Sequence, residues 1–264
     1  MEVAGSDKRI GTVFIYEVLG TALFIYGIML SNNPVTFAFS LFASIMIFGG
    51  ITGGHFNPAV TLGVYISEGK FGANISWLGI LWVAQILGAC LAWGLCESTL
   101  FGEKLGEIPS GDVQILCPQD PTNGNWPAKS VCDGTNTDAG FLVDIQVLMN
   151  ETILTAVFVS VILMVKAGGV ITPSADGAAG ALAICLVLLG CIKTGGKLGG
   201  CLNPAVAFAL GANQVTHLHD ESKIYSHYIY AFMLGPLLGG AIAGGFTYLH
   251  RPHFAPAAKG EKAQ

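Results

Sequence analysis

Apolar residues fall along this chain in long unbroken blocks, not in the alternation of strands or the one-sided stripe of surface helices. Uncharged or nearly uncharged stretches cover Ile10–Leu30, where Glu17 is the only charge, Val35–Ile51, Ile75–Cys96, Phe141–Val165, which holds Asp144 and Glu151, Gly177–Ile192 and Ile224–His250. Roughly 20 residues cross a hydrocarbon core of about 30 Å, so these blocks predict six membrane-spanning helices. Two further apolar runs, Pro58–Ser67 and Pro204–Asn213, are about half as long. At 1.5 Å per residue each covers roughly 15 Å, which predicts re-entrant half-helices. Non-spanning backbone is tolerated at membrane depth only inside protein or beside a water-filled cavity.

Both half-helices begin with the same triplet, Asn57-Pro58-Ala59 and Asn203-Pro204-Ala205, each approached through a Gly-Gly pair. Asn is a strong N-cap, and Pro suits the first helical turn because its missing N–H would have had no partner there. If the Asn oxygen caps the helix, its NH₂ group is left to donate elsewhere, beside the positive end of a helix dipole. Two such sites facing one channel would bind oxygens of polar molecules and repel cations.

The duplication extends further. Tyr16-Glu17-Val18-Leu19-Gly20-Thr21 in the first span is echoed by Asn150-Glu151-Thr152-Ile153-Leu154-Thr155 in the fourth, each upstream of its own triplet. Two halves of three spans enter the membrane from opposite sides, because three is odd, so the repeats are inverted and both Asn caps meet near the midplane. A single membrane domain over residues 1–264 is expected. Its first repeat covers about 10–97, a connecting loop about 98–140, a second repeat about 141–250, and a tail 251–264. Inverted repeats with broken helices serve transporters as well as channels, so the architecture alone does not choose between them.

Composition agrees with this setting: 52% hydrophobic and 11% charged residues, with mean hydropathy +0.62. If six spans alternate, Lys8, Arg9, Lys70, Lys166, Arg251, Lys259 and Lys262 share one side, and Lys104, Lys129, Lys193, Lys197 and Lys223 the other. That bias places both termini in the cytoplasm. Cys117 and Cys132 then lie in an extracellular loop, where they either pair or stay free thiols. A net charge of -5 without a basic cluster argues against nucleic-acid partners. His217-x-His219 beside Asp220 reads as solvated loop, no nucleophile constellation is present, and no cofactor or metal is expected.

On the paired triplets, the run Thr52-Gly53-Gly54-His55-Phe56-Asn57-Pro58-Ala59-Val60-Thr61, the two glutamate segments and Gly199-Gly200, the chain resembles the aquaporins, the major intrinsic protein family of water and small-solute channels. The resemblance implies an all-α hourglass of six spans plus two half-helices, a pore in each monomer, and a homotetramer in the plasma or vacuolar membrane. It also implies a filter ring at Phe37, Cys191, Gly200 and Val206, counted without gaps from the triplets. Relatives usually carry Arg where this chain has Val206, and water-selective ones carry His where it has Cys191. The ring is therefore expected to be uncharged and wide, admitting water together with glycerol, urea or ammonia. Lys197 either restores charge at the mouth or is a solvated loop residue. Glu17 and Glu151 are expected to accept hydrogen bonds from the re-entrant loops, since charges inside spans are costly unless partnered. His55 is expected to brace the first loop. A secondary transporter and a junctional protein with a closed pore remain the other classes.

Overall fold

The computed structural model describes residues 7–31, 33–99, 140–166, 177–217 and 229–254. Within them lie helices α1 (Asp7–Met29), α2 (Pro34–Thr52), α3 (Pro58–Glu68), α4 (Phe71–Thr99), α5 (Gly140–Lys166), α6 (Gly177–Gly195), α7 (Pro204–His217) and α8 (Ile229–Phe254), with a 3₁₀ turn at Gly196–Leu198. Six of these, all but α3 and α7, are long and apolar enough to cross a membrane. Cys117 and Cys132, in the connecting loop, lie outside the described residues.

Local chemistry explains several boundaries. Asn33 caps α2 by accepting the Val35 N–H at 3.0 Å, with Pro34 next, and Asn57 caps α3 in the same way ahead of Pro58. Gly53 (φ 89°) and Gly69 (φ 66°) close α2 and α3 in the left-handed conformation that glycine takes at little cost. The helices overrun the apolar blocks that predict them. Phe71–Thr99 contains the expected Ile75–Cys96, and α7 continues to His217, beyond Asn213. Hydropathy marks the lipid-facing length, whereas backbone hydrogen bonding stops only where a cap or breaker intervenes.

Packing follows the repeat. In the first half α1 lies along α2 and α4; in the second, α5 lies along α6 and α8; α2 and α6 meet between the halves. Each half-helix crosses the divide, α3 resting on α8 and α7 on α4 as well as on its own repeat's third helix. Glycines set the closest approaches. At Gly88 an added Cβ would lie 2.6 Å from Val18 O and 2.7 Å from Thr21 Cβ, while its counterpart Gly239 faces Thr152 O and Thr155. Gly240 lies against the Ala59 carbonyl and Gly244 against Gly63, which seats α3 on α8. Gly94 and Gly245 make no such approach. Nothing lies within 4 Å of a Cβ at either position, because both stand on outer faces of their helices.

Candidate functional site

The two re-entrant loops meet in the middle of the bundle and are built from one backbone device. Phe56 and Leu202, each immediately before the Asn of a triplet, have φ of 48° and 55°. The left-handed region is uncommon for bulky residues, costing roughly 1–2 kcal/mol. Both are fully buried at 0% exposure, so their polar backbone atoms must find partners. The turn sends each N–H back toward its own repeat's glutamate. Phe56 N–H donates to Glu17 Oε1 at 2.6 Å, and Leu202 N–H donates to Glu151 Oε2 at 2.8 Å. Glu151 also accepts the Cys201 N–H on Oε1 at 2.9 Å. In the first repeat the second donor is a side chain instead, Gln85 Nε2 on α4, which reaches Glu17 Oε1 at 2.8 Å.

The same turns send the carbonyls forward, across the repeat boundary. Asn57 Nδ2 donates to Leu202 O at 2.8 Å, and Asn203 Nδ2 donates to Phe56 O at 3.0 Å. Meanwhile each Asn Oδ1 caps its half-helix, accepting the N–H of Ala59 at 2.8 Å and of Ala205 at 2.9 Å. A carboxamide has two N–H donors. One is therefore committed to the opposing loop, and the other remains for the cavity. This is a narrower offer than a wholly free NH₂ group, but it comes from a fixed direction.

Both asparagines, Gly54, His55, Cys201 and Leu202 line that cavity, whose remaining wall is apolar, from Phe24, Leu41, Ile45, Phe158, Ile162, Ile184 and Leu188. It leaves about 20 Å³ to water centres, and one water centre takes roughly 10–15 Å³. The space therefore suits single-file passage of a small polar molecule.

His55 sits beside this cavity with Nδ1 3.2 Å from Thr61 Oγ1. The Thr61 hydroxyl donates to Asn57 O at 3.0 Å and accepts from Gln85 Nε2 at 2.7 Å. Its remaining lone pair takes the His55 Nδ1–H, so the network makes Nδ1 the donor of this contact. His55 Nε2 is buried without a hydrogen-bond partner among the described residues. Thus Glu17, Gln85, Thr61 and His55 form one connected brace behind the first loop. The second loop has its own extra tie, Asn150 Nδ2 donating to Gly199 O at 3.1 Å.

The four residues counted as a filter lie apart from the central cavity. Phe37, Cys191 and Val206 belong to one buried apolar cluster, at 3%, 5% and 3% exposure. Cys191 Sγ approaches Leu154 O at 3.6 Å. A Cβ on Gly200 would sit 3.0 Å from Ile192 Cα, so this position serves close packing on α6 and offers backbone, not a side chain, to any lumen. Lys197 lies in the 3₁₀ turn, and its side chain is outside the described residues. Two polar contributors escape a motif reading. Gln85 is legible only as an amide inside an otherwise apolar span, and Trp82 Nε1, donating to Pro58 O at 3.0 Å, resembles any interfacial tryptophan.

Six crossing helices and two half-helices, joined at their N-termini around a small polar-tipped cavity, define a membrane protein of the hourglass pore type. The family model for the major intrinsic proteins matches residues 9–248, and the chain belongs to that family of aquaporin-type channels. Among curated relatives, it is 31% identical over 214 residues to aquaporin TIP1-1 of Arabidopsis thaliana, covering 80% of this chain and 67% of that one. It is 27% identical over 268 residues to the probable aquaporin TIP-type RB7-18C of Nicotiana tabacum, covering 92% and 89%. The fold is similar to the crystal structure of the aquaglyceroporin from Plasmodium falciparum, with TM-score 0.68 and 18% identity over 90% of this chain and 95% of that one.

Proposed function

We propose that the protein is a passive channel for water that also passes small neutral solutes such as glycerol, urea or ammonia. The observation that carries this reading is the crossed pair of asparagine bonds, Asn57 to Leu202 O and Asn203 to Phe56 O. It fixes one spare N–H donor on each side of an otherwise apolar cavity. A molecule in transit accepts those donors in succession, while the positive ends of α3 and α7 oppose cations at the same point. Phe37, Cys191, Gly200 and Val206 form the outer ring in this reading. With valine in place of a guanidinium the ring lacks a fixed donor and a fixed charge, so it discriminates by size and not by hydrogen bonding.

Glu17, Glu151 and His55 are supports, because Glu17 Oε1, both Glu151 oxygens and His55 Nδ1 are engaged by loop backbone, Gln85 and Thr61. The protein works as a homotetramer with both termini cytoplasmic. It resides in the plasma membrane or the vacuolar membrane. Stopped-flow light scattering on proteoliposomes tests the reading by comparing osmotic water flux and glycerol uptake with empty vesicles. Fast flux of both is expected. Fast water with rejection of glycerol, urea and ammonia would remove the wide-filter part, and flux of neither would remove the channel.

A further inference from the structure

We propose that Lys166 is the fixed positive charge of the conduction path, and that it supplies the cation exclusion an apolar Val206 does not. This rests on the channel reading above. Lys166 is the last residue of α5 and lines a vestibule of about 460 Å³ where α2 and α5 end and α6 begins. Ile45 and Ile184 line both this vestibule and the central cavity, so the two spaces meet across those side chains. Much of the vestibule wall is glycine, including Gly49, Gly53 and Gly180, which adds no side-chain bulk to the space.

The ammonium's direction is the unusual feature. A lysine at the end of a membrane span ordinarily extends its four-carbon stem to reach water or headgroups. Lys70 and Lys193 are exposed in that way, whereas Lys166 Nζ is buried and makes no hydrogen bond among the described residues. Among the described residues, the charged or titratable groups within electrostatic reach are Glu17, Glu68 and His55. Glu17 Oε1 is engaged by Phe56 N–H and Gln85, and Glu68 Oε2 accepts from Asn74 Nδ2 at 2.5 Å. Both acids attract Lys166 without hydrogen-bonding it. Its charge is still felt at His55 on the wall of the central cavity, across a low-dielectric interior in which a cation is repelled and a neutral solute is not. A lysine in the last turn also suits the C-terminal dipole of α5; that role alone would affect stability and leave ion leakage unchanged.

The test uses the full-length protein in proteoliposomes, reading potential-driven proton uptake with an internal pH dye and osmotic water flux on the same vesicles. Wild type should pass water with proton uptake at the empty-vesicle level. Lys166→Gln should raise uptake about tenfold, a barrier lowered by about 1.4 kcal/mol, in vesicles that still pass water faster than empty ones. Lys166→Arg should behave as wild type, and Lys166→Gln combined with Val206→Arg should regain exclusion. Lys166→Gln that conducts water with wild-type proton uptake overturns the proposal, as does a wild type that already leaks. If Lys166→Gln passes no water, Lys166→Met takes its place and is read by the same criteria. A wild type that passes no water defeats the channel reading itself, a distinguishable failure.

Discussion

Replacing each repeat glutamate by glutamine separates a carboxylate that uses both oxygens from one that uses a single oxygen. Glu151 accepts Cys201 N–H on Oε1 at 2.9 Å and Leu202 N–H on Oε2 at 2.8 Å. A carboxamide has one oxygen, so Glu151→Gln loses one of these bonds and turns its new NH₂ toward a buried N–H. Hydrogen bonds to charged groups contribute about 1.5–3 kcal/mol, and an unsatisfied buried donor costs about 1–3 kcal/mol. Because the two figures overlap, the expected loss is about 2–4 kcal/mol. Glu17 is different: Oε1 accepts both Phe56 N–H and Gln85 Nε2, while Oε2 accepts no N–H among the described residues and the Thr52 hydroxyl is the other polar group beside the carboxylate. Glutamine can keep its oxygen at the Oε1 position, and neutralising a buried group recovers desolvation energy, so the loss should stay below about 1 kcal/mol. Lost attraction to Lys166 narrows the gap without closing it, since no hydrogen bond joins the two. For a chain of this size about 1 kcal/mol corresponds to roughly 2–4 °C. With a gap of about 2 kcal/mol as the central value, thermal unfolding of detergent-solubilised variants at one fixed scan rate should place Glu151→Gln roughly 4–8 °C below Glu17→Gln. Equal destabilisation, or the reverse order, would refute the assignment of oxygens to backbone donors.

Asn203→Asp preserves the cap on Ala205 but sets a carboxylate oxygen against Phe56 O, where an N–H now donates at 3.0 Å. We expect a loss of about 2–4 kcal/mol from the broken bond and the opposed charges, and a water flux in stopped-flow measurements at least tenfold below wild type, as order of magnitude. Gly240→Ala would press its methyl on the Ala59 backbone, including Ala59 C at 2.9 Å. Separating α3 from α8 should cost about 2–3 kcal/mol, read as a lower unfolding temperature. Gly245→Ala, with nothing within 4 Å, should leave that temperature unchanged or raise it, because alanine is the better helix former by about 1 kcal/mol.

The spans were legible because a charge-free block of about 20 residues has few other readings, and the half-helix starts because Asn-Pro satisfies a specific need of a helix N-terminus. Their ends were less so. Gly69 stops α3 as a breaker should, but α7 runs past Asn213 to His217, since Gln214, Val215 and Thr216 forbid nothing that a helix requires. Glutamates within spans announced a need for partners without naming them. Gln85 lies 68 residues from Glu17 and Leu202 lies 145 from Asn57, and no local pattern encodes such pairings. Counting positions put Gly200 on a ring but could not give the direction of its Cα–H, which the packing on Ile192 decides. Lys166 counted as one more interfacial charge, because the sequence does not tell whether a stem extends outward or folds in.

The crossed asparagine bonds mean that neither repeat completes its own loop. Phe56 and Leu202 hold a costly positive φ, yet each carbonyl finds its partner only in the other half, and each half-helix rests on the opposite repeat's third helix. The two turns are therefore stabilised together. Within that shared closure the repeats have diverged while keeping the number of N–H donors to each glutamate, two in both cases among the described residues. Gly88 over Thr21 and Gly239 over Thr155 set the correspondence of α4 with α8, which puts Pro236 opposite Gln85, three residues before each glycine. Proline has no side-chain donor. The second repeat supplies its extra hydrogen bond from the Cys201 backbone instead, so the first loop depends on a side chain of α4 whereas the second is tied to its glutamate by backbone alone.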